Sequence, residues 1–211
     1  METTSNQETT VRITEDDIKK FENMVASMPD SANAHYNLGL ALAQRGEWDR
    51  SLSEFRTALQ LKPGLLEARV NMAGVLLQKG DYDGSIDESL RALEFRPDLI
   101  EACINIGIAF MHRGMLDQAV QSFEKALAID PDSIVSHLNL GNIFLALGEI
   151  DKSIKHNARA VELDPASGMS HNNLSVAFYH NGDLEKARRH AEEAVKLGYK
   201  VHPDFLKQLD N

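Results

Sequence analysis

The sequence predicts an all-α fold in which one pair of helices is copied along the chain, and three observations support this prediction. Five of the six prolines recur every 34 residues, and five glycines keep the same interval midway between them. Apolar residues recur at helical spacing in two separate stretches of each period. A chain breaker that returns at a fixed phase indicates one supersecondary unit repeated in an array. The prolines are Pro29, Pro63, Pro97, Pro131 and Pro165, and the glycines are Gly46, Gly80, Gly114, Gly148 and Gly182.

The composition narrows the classes of partner. A net charge of −10 argues against a nucleic-acid backbone and against an anionic membrane surface as the partner. No stretch approaches 18 apolar residues, so direct membrane insertion is not expected. Cys103 is the single cysteine, which excludes an intramolecular disulfide and favours a reducing compartment. The first residues lack the apolar core of a secretory signal, and a cytoplasmic location is therefore expected.

The period divides the chain into a tail, a first helix, five repeat units and a final helix. Residues 1–12, rich in Thr, Glu and Gln, are expected to form a mobile tail. Residues 13–29 are predicted to form an N-terminal helix, as a partial repeat or a cap. Residues 201–211 are predicted to form a C-terminal capping helix, because the end units of an array have one uncovered side. The five units are predicted at about 30–63, 64–97, 98–131, 132–165 and 166–200.

The unit at residues 30–63 indicates how each helix begins and ends. Gly46 lies just past the first helix, where glycine adopts the left-handed conformation without steric cost. Asp49 follows at the start of the second helix, where a carboxylate can accept from free N–H groups and suits the helix dipole. Pro63 ends the second helix. Small residues are expected where the helices approach closely: Gly39, Ala73, Gly107, Gly141 and Ser175 in the first helices, and Ala58, Ala92, Ala126, Ala160 and Ala194 in the second.

A family resemblance follows from these motifs. The pattern N-L-G at 37–39 and 139–141, with N-I-G at 105–107, is followed by G-x-[WYLI]-[DE], an alanine and a terminal proline. This combination resembles the tetratricopeptide repeat over about residues 30–200. The resemblance implies a right-handed superhelical solenoid of antiparallel helix pairs, with the first helices lining the concave face. The sequence departs from the family where a large aromatic is common early in the first helix; the residues there are His35, Arg69, Cys103, His137 and His171.

The most suggestive candidates for ligand contact form a series of asparagines on the implied concave face. A side-chain amide has two donors and an acceptor, so it can hold the backbone of an extended peptide in both directions. Such a series resembles the asparagine ladder in the repeat domain of O-GlcNAc transferase. The alternative is that these amides only bond neighbouring helices. The series is Asn37, Asn71, Asn105, Asn139 and Asn173.

Apolar and acidic residues are expected around this series in a peptide-binding groove. Exposed apolar surface of such extent usually marks an interaction site, although burial against adjacent helices is the alternative. Glu67 and Glu101 occupy one groove position in successive repeats and favour a partner that carries Lys or Arg. The other predicted groove residues are Leu40, Val70, Leu77, Ile104, Ile108, Met111, Leu138, Asn142, Leu145, Val176 and Tyr179.

No catalytic constellation is found in the sequence. There is no phosphate loop, dinucleotide fingerprint or Ser/His/Asp arrangement, so no enzyme activity and no cofactor are expected. His137 and His171 lie one period apart, as do His156 and His190. Side chains on neighbouring units are about 10 Å apart, too far to share a metal ion, so a packing role is predicted.

The sequence therefore favours a non-enzymatic adaptor that binds a protein or peptide partner, basic or mixed apolar and basic, in a concave groove. The alternative is a structural scaffold that self-associates into a homo-oligomer within a larger complex. That alternative is motivated by the C-terminal end, where Phe205 and Leu206 leave the last unit incompletely covered.

Overall fold

The computed structural model describes residues 13–210, and these residues form twelve α-helices and no strand. The predicted mobile tail at residues 1–12 lies outside the described residues, as does Asn211. The helices are α1 (Glu15–Ser27), α2 (Ala32–Gln44), α3 (Trp48–Leu61), α4 (Leu66–Lys79), α5 (Tyr82–Phe95), α6 (Ile100–His112), α7 (Leu116–Ile129), α8 (Ile134–Ala146), α9 (Ile150–Leu163), α10 (Gly168–His180), α11 (Leu184–Lys196) and α12 (Pro203–Asp210).

The chain divides into two compact halves, and the division falls between Phe95 and Arg96. In the N-terminal half, α1 packs against α2, α2 pairs with α3, α3 packs against α4, and α4 pairs with α5. Leu52, Phe55 and Met72 belong to one buried cluster of this half. Ile18 of α1 belongs to a second cluster with Leu38 and two further residues of α2, so α1 covers the outer side of the first pair.

The C-terminal half contains the pairs α6–α7, α8–α9 and α10–α11, followed by α12 against α11. Its main cluster includes Phe123, Leu140 and Ile143. At the far end Leu209 of α12 is buried against Ala187 and Ala191 of α11. The last pair is therefore covered in part by a helix of only eight residues.

The turns within the repeats follow from their glycines. Each of the five periodic glycines has a φ between 72° and 80°, the left-handed region predicted from the sequence. The prediction that Asp49 caps the second helix of its repeat is wrong. Asp49 lies in the first turn of α3, but the N-cap residue is Glu47, without a side-chain capping bond. The Asp49 carboxylate instead forms an ion pair with Lys79 of α4.

Residue sizes are matched across the two helices of each repeat. A Cβ atom on Gly39 would lie 2.7 Å from the ring of Phe55, and one on Gly107 would lie 2.8 Å from the ring of Phe123. Both phenylalanines are fully buried. Only glycine leaves room for the aromatic ring, so the predicted packing role of these two small residues is confirmed.

Asn157 occupies the position of these phenylalanines in the repeat that contains Gly141, and it is 1% exposed. Its Nδ2 donates to Ser153 Oγ at 3.3 Å. Its Oδ1 is buried and has no hydrogen-bond partner. A buried acceptor without a partner costs about 1–3 kcal/mol, so this residue weakens the core of the pair α8–α9.

Replacing Asn157 with Phe should therefore stabilise the protein. The change removes the unpaired oxygen and places a ring against Gly141, as Phe123 does against Gly107. We expect the free energy of unfolding to rise by about 1–2 kcal/mol, measured by urea denaturation followed by circular dichroism. The matched control Phe123→Asn should lower it by about 3–5 kcal/mol. A less stable N157F protein would mean that the space beside Gly141 is too small for a ring.

Candidate functional site

The predicted asparagines all lie on the first helices of the repeats, and every one of them is partly exposed. In the N-terminal half, Asn37 lies on α2 and Asn71 on α4. In the C-terminal half, Asn105, Asn139 and Asn173 lie on α6, α8 and α10, and α8 contacts both of the other helices. The asparagines within each half therefore hold equivalent positions on neighbouring first helices.

Two of the amides are held in place by bonds within the protein. Asn71 Nδ2 donates to Glu67 O at 2.8 Å and to Tyr36 Oη at 3.2 Å. Asn139 Nδ2 donates to Val135 O, one turn earlier in its own helix, at 2.8 Å. A carbonyl oxygen can only accept, so each bond identifies the nitrogen of the amide. The bond of Asn71 to Tyr36 reaches the neighbouring helix α2, as the alternative expects, whereas the bonds to Glu67 O and Val135 O stay within the asparagine's own helix. These bonds do not use the carbonyl oxygen of either side chain.

Asn71 belongs to a small polar cluster between α2 and α4. Tyr36 accepts its amide proton, and Glu67 is exposed nearby. The pKa of the Tyr36 phenol is raised, first by burial and then by the negative charge of Glu67. The N-terminal half therefore presents an acidic and amide-rich surface. Of its predicted apolar groove residues, Leu40 packs against the core cluster and Val70 is partly exposed.

The apolar groove residues predicted in the C-terminal half have different surroundings. Leu138 is only 7% exposed, so its prediction as a groove residue is wrong. The reason is that α8 lies between α6 and α10 and contacts both, which covers its flanks. Ile104, Ile108 and Met111 are partly buried against the core cluster. Asn142 is exposed on α8.

Tyr179, at the end of α10, contacts the final helix. Its ring packs edge-on against Phe205 of α12, with 5.5 Å between the ring centroids. The residue remains partly exposed. Helices α10 and α12 therefore form together the C-terminal end of the surface that carries Asn105, Asn139 and Asn173.

Val135 and Met169 lie on the same helices as Asn139 and Asn173 and were not predicted as groove residues. Their exposed fractions are 48% and 47%. They occupy the position of Glu101 in the two following repeats, so the offset of 34 residues could have identified them. Along α6, α8 and α10 this position changes from an exposed carboxylate to two exposed apolar side chains.

A second series of residues joins the two helices of individual repeats in the N-terminal half. His35 Nδ1 lies 2.6 Å from Glu54 Oε2, and Arg69 donates to Glu88 Oε2 at 2.6 Å. His35 also bonds Pro29 O at 3.0 Å through Nε2. Each pair consists of residues 19 positions apart, so the early polar residue of the first helix bonds the middle of the second.

Histidine pairs take this place in the last two repeats. His137 Nδ1 lies 3.0 Å from His156 Nδ1, and His171 Nδ1 lies 3.0 Å from His190 Nδ1. Burial lowers the pKa of His156 to about 4, and the facing His137 adds to this effect. Burial likewise lowers the pKa of His190 to about 4. The sequence comparison paired His137 with His171 and His156 with His190, one period apart, and so did not predict these contacts. The spacing of 19 residues within each repeat could have predicted them.

Within residues 13–210, no group of three or more His, Cys, Asp or Glu side chains is arranged to bind a metal. None of the described helices combines the length and the apolar character needed to cross a bilayer.

Comparison with known protein families supports the reading of the repeats. Models described as tetratricopeptide repeats match residues 32–65 and 138–198, and a TPR repeat model matches residues 107–148. The chain belongs to the tetratricopeptide-repeat family. The predicted fold class, an all-α array of helix pairs, is thereby confirmed. A comparison with curated proteins found no match.

Solved tetratricopeptide-repeat structures share this fold at low sequence identity. MamA from Desulfovibrio magneticus RS-1 is 21% identical, with a TM-score of 0.70 over 79% of this chain and 94% of that chain. YrrB, described as a TPR protein with an unusual peptide-binding site, is 18% identical, with a TM-score of 0.63 over 85% and 93%. A chain of the APC/C hetero-tetramer Cut9–Hcn1 is 16% identical, with a TM-score of 0.80 over 93% and 39%. These identities show a common fold alone.

The Arg69–Glu88 pair of this repeat protein should be stabilising only as a pair. Both side chains are 11% exposed, so Arg69→Met leaves Glu88 with the exposed Arg91 as its remaining cationic partner. We expect the free energy of unfolding to fall by about 3 kcal/mol, measured by urea denaturation. The double variant R69M/E88L, which removes both charges, should lie within about 1 kcal/mol of the wild type. If the effects of the two changes simply add, the charges are not coupled.

Proposed function

We propose that this chain is a non-enzymatic adaptor that binds an extended segment of a partner protein along the first helices of its C-terminal half. The observation that carries the proposal is the placement of Asn105, Asn139 and Asn173 on three neighbouring helices, each partly exposed. Tetratricopeptide-repeat proteins are protein-interaction scaffolds, and YrrB is described as having a peptide-binding site. The family membership therefore supports an interaction role.

The spacing of the amides suits an extended peptide. Packed helices lie about 8–10 Å apart, and an extended chain rises about 3.3 Å per residue. An amide on each first helix would therefore meet about every third residue of the partner. Because each amide bonds backbone groups, the partner's sequence would be selected by the residues between the amides.

The chemistry of those residues favours a segment that is mainly apolar, with a basic residue near α6. Glu101 offers an exposed carboxylate on α6, while Val135 and Met169 offer exposed apolar surface on α8 and α10. In the N-terminal half, the cluster of Glu67, Asn71 and Tyr36 would accept a second basic group independently. A cytoplasmic location stays a prediction from the sequence.

A selection from a random library of short peptides tests this proposal. Peptides selected on the wild type should be enriched in large apolar residues and in Lys or Arg. Their affinity, measured by fluorescence anisotropy, should fall about 10- to 100-fold for N105A/N139A, because each lost amide bond is worth about 1 kcal/mol. The matched control Asn23→Ala changes an exposed asparagine on α1 and should leave affinity unchanged.

The two parts of the proposal are separable in this experiment. Unchanged affinity of N105A/N139A, with an unchanged thermal melt, would rule out the amide mechanism. Selection on Glu101→Lys should remove the preference for basic residues, whereas Glu124→Lys on α7 should keep it. Equal preferences in both variants would rule out Glu101 as the acidic subsite.

A second candidate function, self-association, is favoured by the surface between α11 and α12. A cavity of about 400 Å³ opens there, lined by Val195 and Leu206 among other residues. Val195 is 49% exposed, because α12 is shorter than the helix that a further repeat would provide. Arg188 and Glu192 at the same cavity carry opposite charges, so two copies of this face could pair.

If this face joins two copies, sedimentation velocity should show a dimer that forms as the protein concentration rises. Val195→Glu should abolish the dimer, because it would place a carboxylate in the apolar contact. Leu184→Glu, at an exposed position near the start of α11, is the matched control and should leave the dimer intact. A monomer at every concentration would exclude self-association.

A further inference from the structure

We infer that the two histidine pairs make the C-terminal half an acid-labile element, which loosens in mild acid while the N-terminal half stays folded. His137 joins α8 to His156 on α9, and His171 joins α10 to His190 on α11, each at 3.0 Å between Nδ1 atoms. The same contact is thus present in two successive repeats. Both contacts join the start of the first helix of a repeat to the middle of its second helix.

Hydrogen-bond geometry fixes the protons of each pair. His137 Nε2 lies 3.0 Å from Pro131 O, and a carbonyl only accepts, so Nε2 carries the proton. Neutral His137 therefore presents a lone pair at Nδ1, and His156 must donate to it from its own Nδ1. A pair that gains one proton still has one N–H between the two Nδ1 atoms and keeps the contact, because the neutral ring can change its tautomer. A second proton would bring two N–H groups and two positive charges face to face and break the contact. His171 repeats this arrangement, with Nε2 at 3.2 Å from Pro165 O.

A proton on the other member of the first pair is also disfavoured. The His156 ring stacks on the Phe144 ring, and the ammonium of Lys152 lies 4.9 Å from the centroid of the Phe144 ring. Lys155 on the same helix adds a further positive charge. A cation on His156 would therefore be half-buried among positive groups.

The acidic groups near the first pair face cations of their own. Asp132 and Glu162 line the surface cavity beside His156, where both pair with Arg159, at 2.6 and 2.9 Å, and Lys155 supplies a second positive charge. The helices packed against α9 are α8, whose titratable side chain is His137, and α10, whose titratable side chains are His171, Tyr179 and His180. No carboxylate of α10 is thus present to balance a charge on His156.

The second pair has closely similar surroundings. The His190 ring stacks on the Phe178 ring, and Lys186 Nζ lies 5.2 Å from the centroid of the Phe178 ring. Arg189 opposes a proton on His190, whereas Glu193 favours it. On α12, the charged groups Asp204 and Lys207 pair with each other at 3.1 Å.

The sign of the pH effect follows from these surroundings. The pKa of His156 and of His190 is lowered from 6.5 to about 4, mainly by burial. Between these values the unfolded chain binds protons that the folded chain does not. The stability of the C-terminal half therefore falls as the pH drops from about 6.5 to about 4, with no further loss from these groups below that range.

The N-terminal half has no such pair. Both ring nitrogens of His35 face acceptors, Glu54 Oε2 and Pro29 O, so a protonated His35 keeps both contacts, and the Arg69 guanidinium faces the Glu88 carboxylate at 2.6 Å. Mild acid therefore leaves the cross-helix contacts of the N-terminal half in place. This lability does not rest on the proposed function; where that function holds, acid would also separate Asn139 from Asn173.

Hydrogen exchange followed by mass spectrometry on the full chain tests the inference. Rates are compared at about pH 7.5 and about pH 5, after correction for intrinsic exchange. At the lower pH, peptides from α8 to α11 should lose protection at least about tenfold more than peptides from α2 to α5. Equal changes in the two groups would overturn the inference.

Exchanging the pairs between the halves gives matched variants. H137R/H156E/H171R/H190E copies the Arg69–Glu88 pair into the C-terminal half and should abolish its acid sensitivity. R69H/E88H should bring acid sensitivity to α4 and α5. Undiminished sensitivity in the first variant would overturn the inference, because the lability would then arise elsewhere.

If either variant fails to fold at neutral pH, nitrogen NMR of the wild-type imidazoles decides the question. The inference requires His137 and His171 to carry their proton on Nε2. It also requires His156 and His190 to remain neutral at pH 5. Titration of His156 and His190 near their ordinary pKa in the folded protein would overturn it.

Discussion

The close approach of the two helices in each repeat is the constraint on which the other contacts depend. Gly39 and Gly107 bring the first helix so near the second that a ring from the partner helix lies directly on the glycine. In four of the five repeats, with and without such a ring, one polar residue early in the first helix reaches a residue 19 positions later on the second, at 2.6 to 3.0 Å. Small buried residues allow the two helices of a repeat to lie close together, and the polar contact forms across that short distance.

The polar contact is where the repeats differ in chemistry. In four of the repeats the same two positions hold a histidine with a carboxylate, an arginine with a carboxylate, or two histidines, and in the remaining repeat they hold Cys103 and Ser122. All three arrangements fill similar space and satisfy a carbonyl of the preceding proline, so they are equivalent in shape at neutral pH. They are not equivalent toward protons, because only a histidine pair, once both of its rings are protonated, places two N–H groups and two positive charges against each other. A chain of nearly identical repeats can in this way respond to acid in one part and not in another.

The parts of the fold that repeat could be predicted from the sequence, because a periodic residue reports a requirement shared by every repeat. The left-handed glycines and the close contact of Gly39 and Gly107 with rings are of this kind. The fate of single residues could not be predicted in the same way. Leu138 is buried because its helix has neighbours on both sides, and Asp49 is drawn to Lys79 instead of capping its helix. Both outcomes depend on which side chains meet across helices. The sequence shows which residues lie 19 positions apart, but only the distance between the two helices shows that these residues are in contact.

The asparagines recur at one position of the repeat and are also partly exposed at the surface. Their role is therefore hard to assign from sequence, because either property could explain them. One N–H of Asn139 satisfies a carbonyl one turn earlier, and this bond fixes the rotamer of a side chain at the surface. Fixing the rotamer lowers the entropy that a ligand would otherwise have to remove on binding. The internal bond and the ligand contact are therefore not competing explanations for these amides. An amide that is half satisfied within the protein is oriented in advance, and its remaining carbonyl oxygen can accept from a peptide N–H without further ordering.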